Sequence, residues 1–274
     1  MPSPFSARRQ AFRRLHDAGC FVIPNPWDVG SARYLQSLGF QALATTSSGA
    51  AWSRGMADGD MQFEGVLAHL RELVAATELP LNADFEDGFA DDAEGVARNV
   101  RLAIETGIAG VSIEDSTGDA ADPIRPLAAS VERMRAARKA VDDAGGEVLL
   151  VGRAENFFWG RKDLDDTIRR LQAYAEAGAD CLYAPGISTR EQITAVVQAV
   201  APKPVNLLVG SALPFNLQEL AAMGVRRVSV GGALARSAWG GFMRSARLIA
   251  EQGRFDGFAD AASGAELNRL LGAS

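Results

Sequence analysis

The chain has 274 residues, 47% of them apolar and 23% charged, with a net charge of −6. That balance argues against a nucleic-acid surface, which needs a basic stripe, and against a polybasic membrane patch. Two cysteines, Cys20 and Cys181, give no disulfide framework and predict a reducing, cytoplasmic setting.

Residues 1–14 alternate charged and apolar side chains without the continuous apolar stretch of a signal peptide. No apolar run is long enough to span a bilayer. From there, short apolar runs alternate with amphipathic segments. The runs predict eight strands, at 20–24, 42–45, 81–83, 110–113, 148–152, 181–184, 205–209 and 227–230. Between them, spacings such as Ala93, Val96, Val100, Ile104 and Leu164, Ile168, Leu171, Ala175 predict helices. Gly107, Gly178 and Gly224 each close a helical pattern just before a strand. The repeating unit predicts an α/β fold: one closed (β/α)8 TIM barrel over residues 1–274 with a C-terminal helical extension. A doubly wound open sheet is the alternative. After Gly231-Gly232 a helix is predicted from 233 to about 251, then a second pattern on Phe255, Phe258, Leu267, Leu270 and Leu271. A terminal helix with a spare apolar face needs a cover, either a neighbouring subunit or the barrel's own N-terminus.

Three of the apolar runs stop at charged residues. The third leads into Asp84, Glu86 and Asp87, the fourth into Glu114 and Asp115, and the fifth into Arg153 and Glu155. In a parallel barrel, strand carboxyl ends form the working face. Asp84 and Glu86 are two apart and share one side of an extended strand, so with Glu114 they can gather around one cation. Hard oxygen ligands suit magnesium, with manganese as a substitute. Magnesium keeps several waters and takes few direct protein ligands. Arg153 can fork a substrate carboxylate, or hold a structural ion pair with Glu155. The small polar stretch 45–50 can present N–H groups to an oxyanion, or be an ordinary loop. Gly231-Gly232 opens a helix where barrels often bind phosphate, and close packing is the other reading. Trp27, Trp52 and Trp159 fall near the rim, as cover for the pocket. His16 and His69 lie in helical patterns away from strand ends, so a histidine base, a catalytic triad or a His-rich zinc site is not expected. Cys20 and Cys181 start strands and face the far rim or the core.

At these residues the chain resembles the isocitrate lyase and phosphoenolpyruvate mutase superfamily. The resemblance runs from Asn25-Pro26-Trp27-Asp28 to Gly231-Gly232-Ala233-Leu234-Ala235-Arg236. It is carried by Ala83-Asp84-Phe85-Glu86-Asp87-Gly88-Phe89, Gly110-Val111-Ser112-Ile113-Glu114-Asp115, Gly152-Arg153-Ala154-Glu155 and an acid at Asp58. It implies a barrel whose eighth helix is exchanged between subunits, in dimers or tetramers. It also implies magnesium on Asp84, with Asp58, Glu86 and Glu114 helping through water. A small keto acid or enolate would lie beside Arg153, its carboxylate end on Thr46, Ser47 and Ser48, with Trp27 and Tyr183 as further substrate contacts. Arg153, Asp58 and Glu114 are then the candidate catalytic residues.

Two departures matter. Glu86 stands where aspartate is usual. The stretch Ser116-Thr117-Gly118-Asp119-Ala120-Ala121-Asp122-Pro123 lacks the cysteine and histidine of the K-K-C-G-H gating loop of isocitrate-cleaving lyases. The asparagine-bearing loop of the phosphonate-forming mutases is not evident either. The expected activity is a magnesium-dependent lyase or decarboxylase that cleaves a C–C bond of a small α-keto or 2-hydroxy (di)carboxylic acid through a pyruvate-type enolate. Protonation would come from water or Tyr183. The alternatives are phosphonomutase-type P–C chemistry, for which Arg161-Lys162 would have to supply the extra basic group, and a non-catalytic small-acid binder.

Overall fold

The computed structural model describes residues 4–272. The chain enters through α1 (Ser6–Leu15) and then alternates strand and helix. The strands are β1 (Phe21–Ile23), β2 (Leu43–Ala44), β3 (Leu81–Asp84), β4 (Gly110–Glu114), β5 (Leu149–Arg153), β6 (Cys181–Tyr183), β7 (Val205–Leu208) and β8 (Arg227–Ser229). All pairings are parallel, in the order β1-β8-β7-β6-β5-β4-β3-β2. The Ala44 N–H donates to the Pro24 carbonyl at 3.1 Å and draws β2 against the end of β1. The sheet is therefore a nearly closed (β/α)8 barrel, and the open-sheet alternative falls. Each predicted strand is present, with ends moved by one or two residues.

The helices are α2 (Val29–Ser37), α3 (Ser47–Ser53), α4 (Phe63–Ala76), α5 (Ala93–Glu105), α6 (Leu127–Asp143), α7 (Leu164–Glu176), α8 (Arg190–Val200), α9 (Leu217–Ala222), α10 (Ala233–Gln252) and α11 (Gly264–Leu271). Most begin where the sequence offers a cap. Asp28, Thr46, Asp92, Asp163, Thr189 and Asn216 each accept a backbone N–H of the first turn, worth about 1 kcal/mol apiece. These caps lie in the loops that leave the strands, so they also set the working rim. Gly107 and Gly178 end their helices at φ +98° and +105°, a region that favours glycine.

Apolar side chains fill two shells. One lies between strands and helices, including Leu43, Leu81, Val111, Leu150, Leu182 and Leu207. The other fills the lower barrel interior with Phe21, Ile23, Ala44, Leu149, Val151 and Cys181, sealed by Phe12 of α1. Cys181 thus lies in the core, as expected. α10 is different. Ala235 is its single buried residue, while Leu234, Trp239, Phe242, Met243 and Ile249 stay exposed. The turn Asp256–Phe258 packs back on α10, and α11 lies against α2. Among the described residues no helix is long and apolar enough to cross a membrane.

Candidate active site

The site is built from the ends of β2 to β6. Arg153, the last residue of β5, points inward and binds three acids. Its Nη1 lies 3.2 Å from Asp84 Oδ1 and 3.1 Å from Glu114 Oε2, and its Nε donates to Glu155 Oε1. Asp84 and Glu114 are the last residues of β3 and β4, so strand pairing itself brings the three together. Asp84 is further oriented by the Ser47 N–H, which donates to Oδ2 at 3.1 Å, and its own N–H donates to Thr45 Oγ1 at 2.8 Å.

Behind this cluster lies a buried support. The Glu155 N–H donates to Asp115 Oδ1 at 2.8 Å. Asp115 Oδ2 accepts from the Tyr174 hydroxyl at 2.5 Å and from Arg170 Nη1 at 3.1 Å. A carboxylate with this many donors is held firmly in place. Asp87, at the same rim, is taken up by Arg125 at 2.6 Å and Arg133 at 3.4 Å and has a structural role.

Two cavities share Arg153. The inner one, of about 110 Å³, runs down the barrel between Thr45 to Ser48, Asp84, Tyr183, Asn206 and Arg227. The outer one, of about 700 Å³, is bounded by Asp58, Glu86, Glu114, Glu155, Phe158 and Trp159. Asp58 and Ser47 border both. Of the expected residues, Asp84, Glu114 and Arg153 therefore touch, Asp58 and Glu86 face the same space, and Thr46, Ser47, Ser48 and Tyr183 line the inner wall.

Some expectations need correction. Glu86 does not share a strand face with Asp84, because β3 stops at Asp84 and Glu86 sits in a left-handed turn at φ +45°. It reaches the outer cavity by that turn. Trp27 lies outside both cavities. The chain leaves its strand at Pro24, Asn25 accepts the Val230 and Gly231 N–H groups, and Asp28 caps α2. Trp27 is thereby carried against Gly49 at the start of α3. His69 is not remote from strand ends, for it borders a small space with Thr45, Asp84 and Glu86. Gly232 shows the close-packing reading, since a Cβ there would come within 2.7 Å of Ser48 Oγ. Arg161 pairs at 3.4 Å with exposed Asp122, away from Arg153. Sequence reasoning missed Asn82, Ser112, Asn206, Arg227 and Ser229 on the inner wall. Their signal was a polar residue inside an apolar run.

The electrostatics show too little positive charge at the rim. Burial pushes Glu114 well above the usual carboxylate range, and Glu155, Asp84 and Glu86 add to the rise against Arg153. Burial and then Asp84, Asp58 and Asp87 push Glu86 up to about 8. Asp58 is raised by burial and by Asp84. Burial acts to lower Arg153, but Glu114 and Glu155 hold it well above its ordinary value, so it stays charged. Tyr183, whose ring centre is 5.1 Å from that guanidinium, is pushed up to about 12 by burial and remains a phenol.

Among the described residues no three acids form a ready metal cage. The donor set still fits a hard cation held by one or two carboxylates and by water. Among the described residues no histidine or cysteine lines either cavity, so the donor set does not suit a soft-ligand metal.

Comparison with known proteins shows the family to which this fold belongs. A family model described as phosphoenolpyruvate phosphomutase matches residues 12–250. A solved structure from Burkholderia cenocepacia, described as that of a candidate lyase/mutase, is 49% identical, covers 98% of each chain and superposes with a TM-score of 0.95. The 2-methylisocitrate lyase of Escherichia coli is 33% identical over 70% of this chain and 67% of its own. An oxaloacetate decarboxylase from Bradyrhizobium is 28% identical over 82% of this chain and 78% of its own.

Proposed function

The chain belongs to the phosphoenolpyruvate mutase and isocitrate lyase superfamily and is an enzyme of that lyase and mutase kind, and from this premise we propose a magnesium-dependent C–C lyase or decarboxylase acting on a small α-keto or 2-hydroxy acid. The observation that carries the reading is Arg153 held between Asp84 and Glu114 where the two cavities meet. Oxaloacetate and 2-methylisocitrate, the acids named for two relatives, have the substrate chemistry such a site would take.

Asp84 would hold the magnesium ion, with Asp58, Glu86 and Glu114 reaching it through water. Bound there, the ion supplies Lewis-acid polarisation of the substrate carbonyl and offsets developing negative charge. Arg153 binds the carboxylate next to that carbonyl. The hydroxyls of Thr46, Ser47 and Ser48 orient the same end. With an α-keto acid, the C–C bond to the leaving carboxylate breaks, and its electron pair passes into a pyruvate-type enolate. With a 2-hydroxy acid, Asp58 or Glu114 takes the hydroxyl proton, the C2 oxygen becomes the keto group of one product, and the pair of the broken C2–C3 bond passes to the other fragment, where a carboxylate stabilises it. Tyr183, kept as a phenol beside Arg153, or water returns a proton to carbon. Glu155, Asp115, Arg170 and Tyr174 keep the guanidinium in position.

Phosphonate chemistry has less support, because Arg161 pairs outside the site. The exposed apolar face of α10 supports self-association into a dimer or tetramer by exchange of that helix. Light scattering on the wild type and on Phe242→Glu would test this, with a monomeric wild type against it. Two unpaired cysteines fit a cytoplasmic enzyme.

Turnover of oxaloacetate and of 2-alkylmalates, with magnesium and with EDTA, tests the function. Activity that needs the metal and falls at least about 10³-fold in Asp84→Ala is expected. Activity that survives both chelation and Asp84→Ala would overturn the metal role.

A further inference from the structure

Among the described residues four arginines are buried, and three of them have a carboxylate partner. Arg9 lies 3.7 Å from Glu147, Arg133 lies 3.4 Å from Asp87, and Arg170 lies 3.1 Å from Asp115. Arg227 is as deeply buried, at 3% exposure, yet among the described residues no carboxylate lies within ion-pair distance of it. Its partners are neutral: Asn206 Oδ1 at 2.8 Å, Asn82 Oδ1 at 3.4 Å and His16 Nε2 at 3.5 Å. His16 adds no charge of either sign. Its Nδ1 donates to the Phe12 carbonyl at 2.8 Å, and burial, then Arg227, hold its pKa down to about 3.

A guanidinium does not neutralise itself by losing a proton in a protein. A buried charge without a counter-charge costs several kcal/mol. It also carries five N–H donors in a fixed fork, and two of its three neutral acceptors are distant. Such a group is built to meet an anion, and the inner cavity leads to it.

The path follows strand register. Arg153 pairs with Tyr183, Tyr183 with Asn206, and Asn206 with Arg227. Arg153 is the last residue of β5 and Arg227 the first of β8, so this line descends from the rim to the floor of the barrel. Three strand spacings are about 14 Å of barrel wall, and both side chains reach into the same cavity. Between them the walls are neutral and hydrogen-bonding: Ser112, Asn82, Asn206 and Ser229.

We infer that Arg227 is the anion-binding floor of the active-site cavity and takes the far carboxylate of a short dicarboxylic substrate whose keto-acid end lies at Arg153. The inference rests on the keto-acid reading of the rim and adds to it the second charged end. The substrate then stands along the barrel axis, its two ends met by two guanidiniums.

Pairs of equal length that differ only in the far group test this by calorimetry with saturating magnesium. Oxaloacetate is compared with 2-oxobutyrate, and 2-oxoglutarate with 2-oxovalerate. Pyruvate and oxalate report the rim alone, and 3-phosphonopyruvate offers a phosphonate as far group. For at least one pair, wild-type protein is expected to bind the dicarboxylate about tenfold or more tightly than its methyl-ended partner. Arg227→Met should erase that preference and leave pyruvate affinity within about twofold, while Arg227→Lys should keep part of it. The wild-type comparison alone decides the matter if Arg227→Met does not fold, because no preference at either length overturns the inference. Tighter binding of 3-phosphonopyruvate than of oxaloacetate, lost in Arg227→Met, would assign the floor to a phosphonate and overturn the carboxylate. Failure of pyruvate and oxalate to bind defeats the keto-acid reading and this inference with it. Their binding without a dicarboxylate preference defeats this inference only.

Discussion

Arg153 and Arg227 lie on one line of paired residues inside the same barrel, but their surroundings are opposite. Arg153 sits among Asp84, Glu114 and Glu155, with Asp58 and Glu86 facing the same cavity. Arg227 has only amide oxygens and a neutral imidazole. The rim therefore has more carboxyl groups than one guanidinium can keep ionised, and the floor has a positive charge with no carboxylate beside it among the described residues. Burial strengthens both imbalances, because neither end can borrow water's dielectric. A ligand that brings a cation to the rim and an anion to the floor satisfies both at once.

The strongest way to break this contrast is to remove the rim cation. Arg153→Met leaves Glu114, Glu155 and Asp84 without their partner. Turnover is expected to fall by about 10²- to 10³-fold, and stability by about 3–5 kcal/mol because uncompensated buried charge remains. Steady-state kinetics and urea titration would measure the two. Wild-type stability in that variant would mean that the acids do not depend on Arg153.

A second comparison uses acid. His16, near the floor, is held down to about 3 by burial and by Arg227, and His69, behind the rim, to about 4 by burial and Arg54. The unfolded chain takes up these protons near pH 6.5, before the folded protein does. Each histidine's contribution is complete above pH 6.5 and is lost as pH falls towards its folded value. The slope is at most about 1.4 kcal/mol per pH unit for each. Denaturation midpoints between pH 7.5 and 5 should fall accordingly, and His16→Gln should flatten the curve. A profile unchanged by His16→Gln would show that this imidazole is not held neutral.

The smallest expected effect sharpens the contrast most. Arg227→Met removes a buried charge that has no partner, so stability should change by less than about 1 kcal/mol, or rise. A loss as large as that of Arg153→Met, read by the same urea titration, would reveal a counter-charge at the floor and remove the asymmetry.

Much of this is legible in the sequence. All eight strands show as apolar runs, and Gly107, Gly178 and Gly224 mark the helix ends before β4, β6 and β8. Asp84, Glu114 and Arg153 could be placed because parallel strands put their last residues on one rim. Glu86, Trp27 and His69 were misplaced because each lies beyond the reach of local periodicity. Strand alternation ends at Asp84 and near Pro24, and His69 meets the rim only through the packing of α4. Asn82, Ser112, Asn206 and Arg227 went unnoticed because parallel strands are buried on both faces. An apolar run then does not say which side looks into the barrel.

The sequence by itself determined the repeating βα units, their number and the charged residues at their ends, since hydrophobic spacing and turn chemistry act over a few residues. Only the tertiary structure decided which side chains share a cavity, and that Arg153 and Arg227 stand at its two ends. Closure of the barrel and the stagger of its strands bring together residues far apart in sequence. The surroundings of a buried charge are set by those distant neighbours.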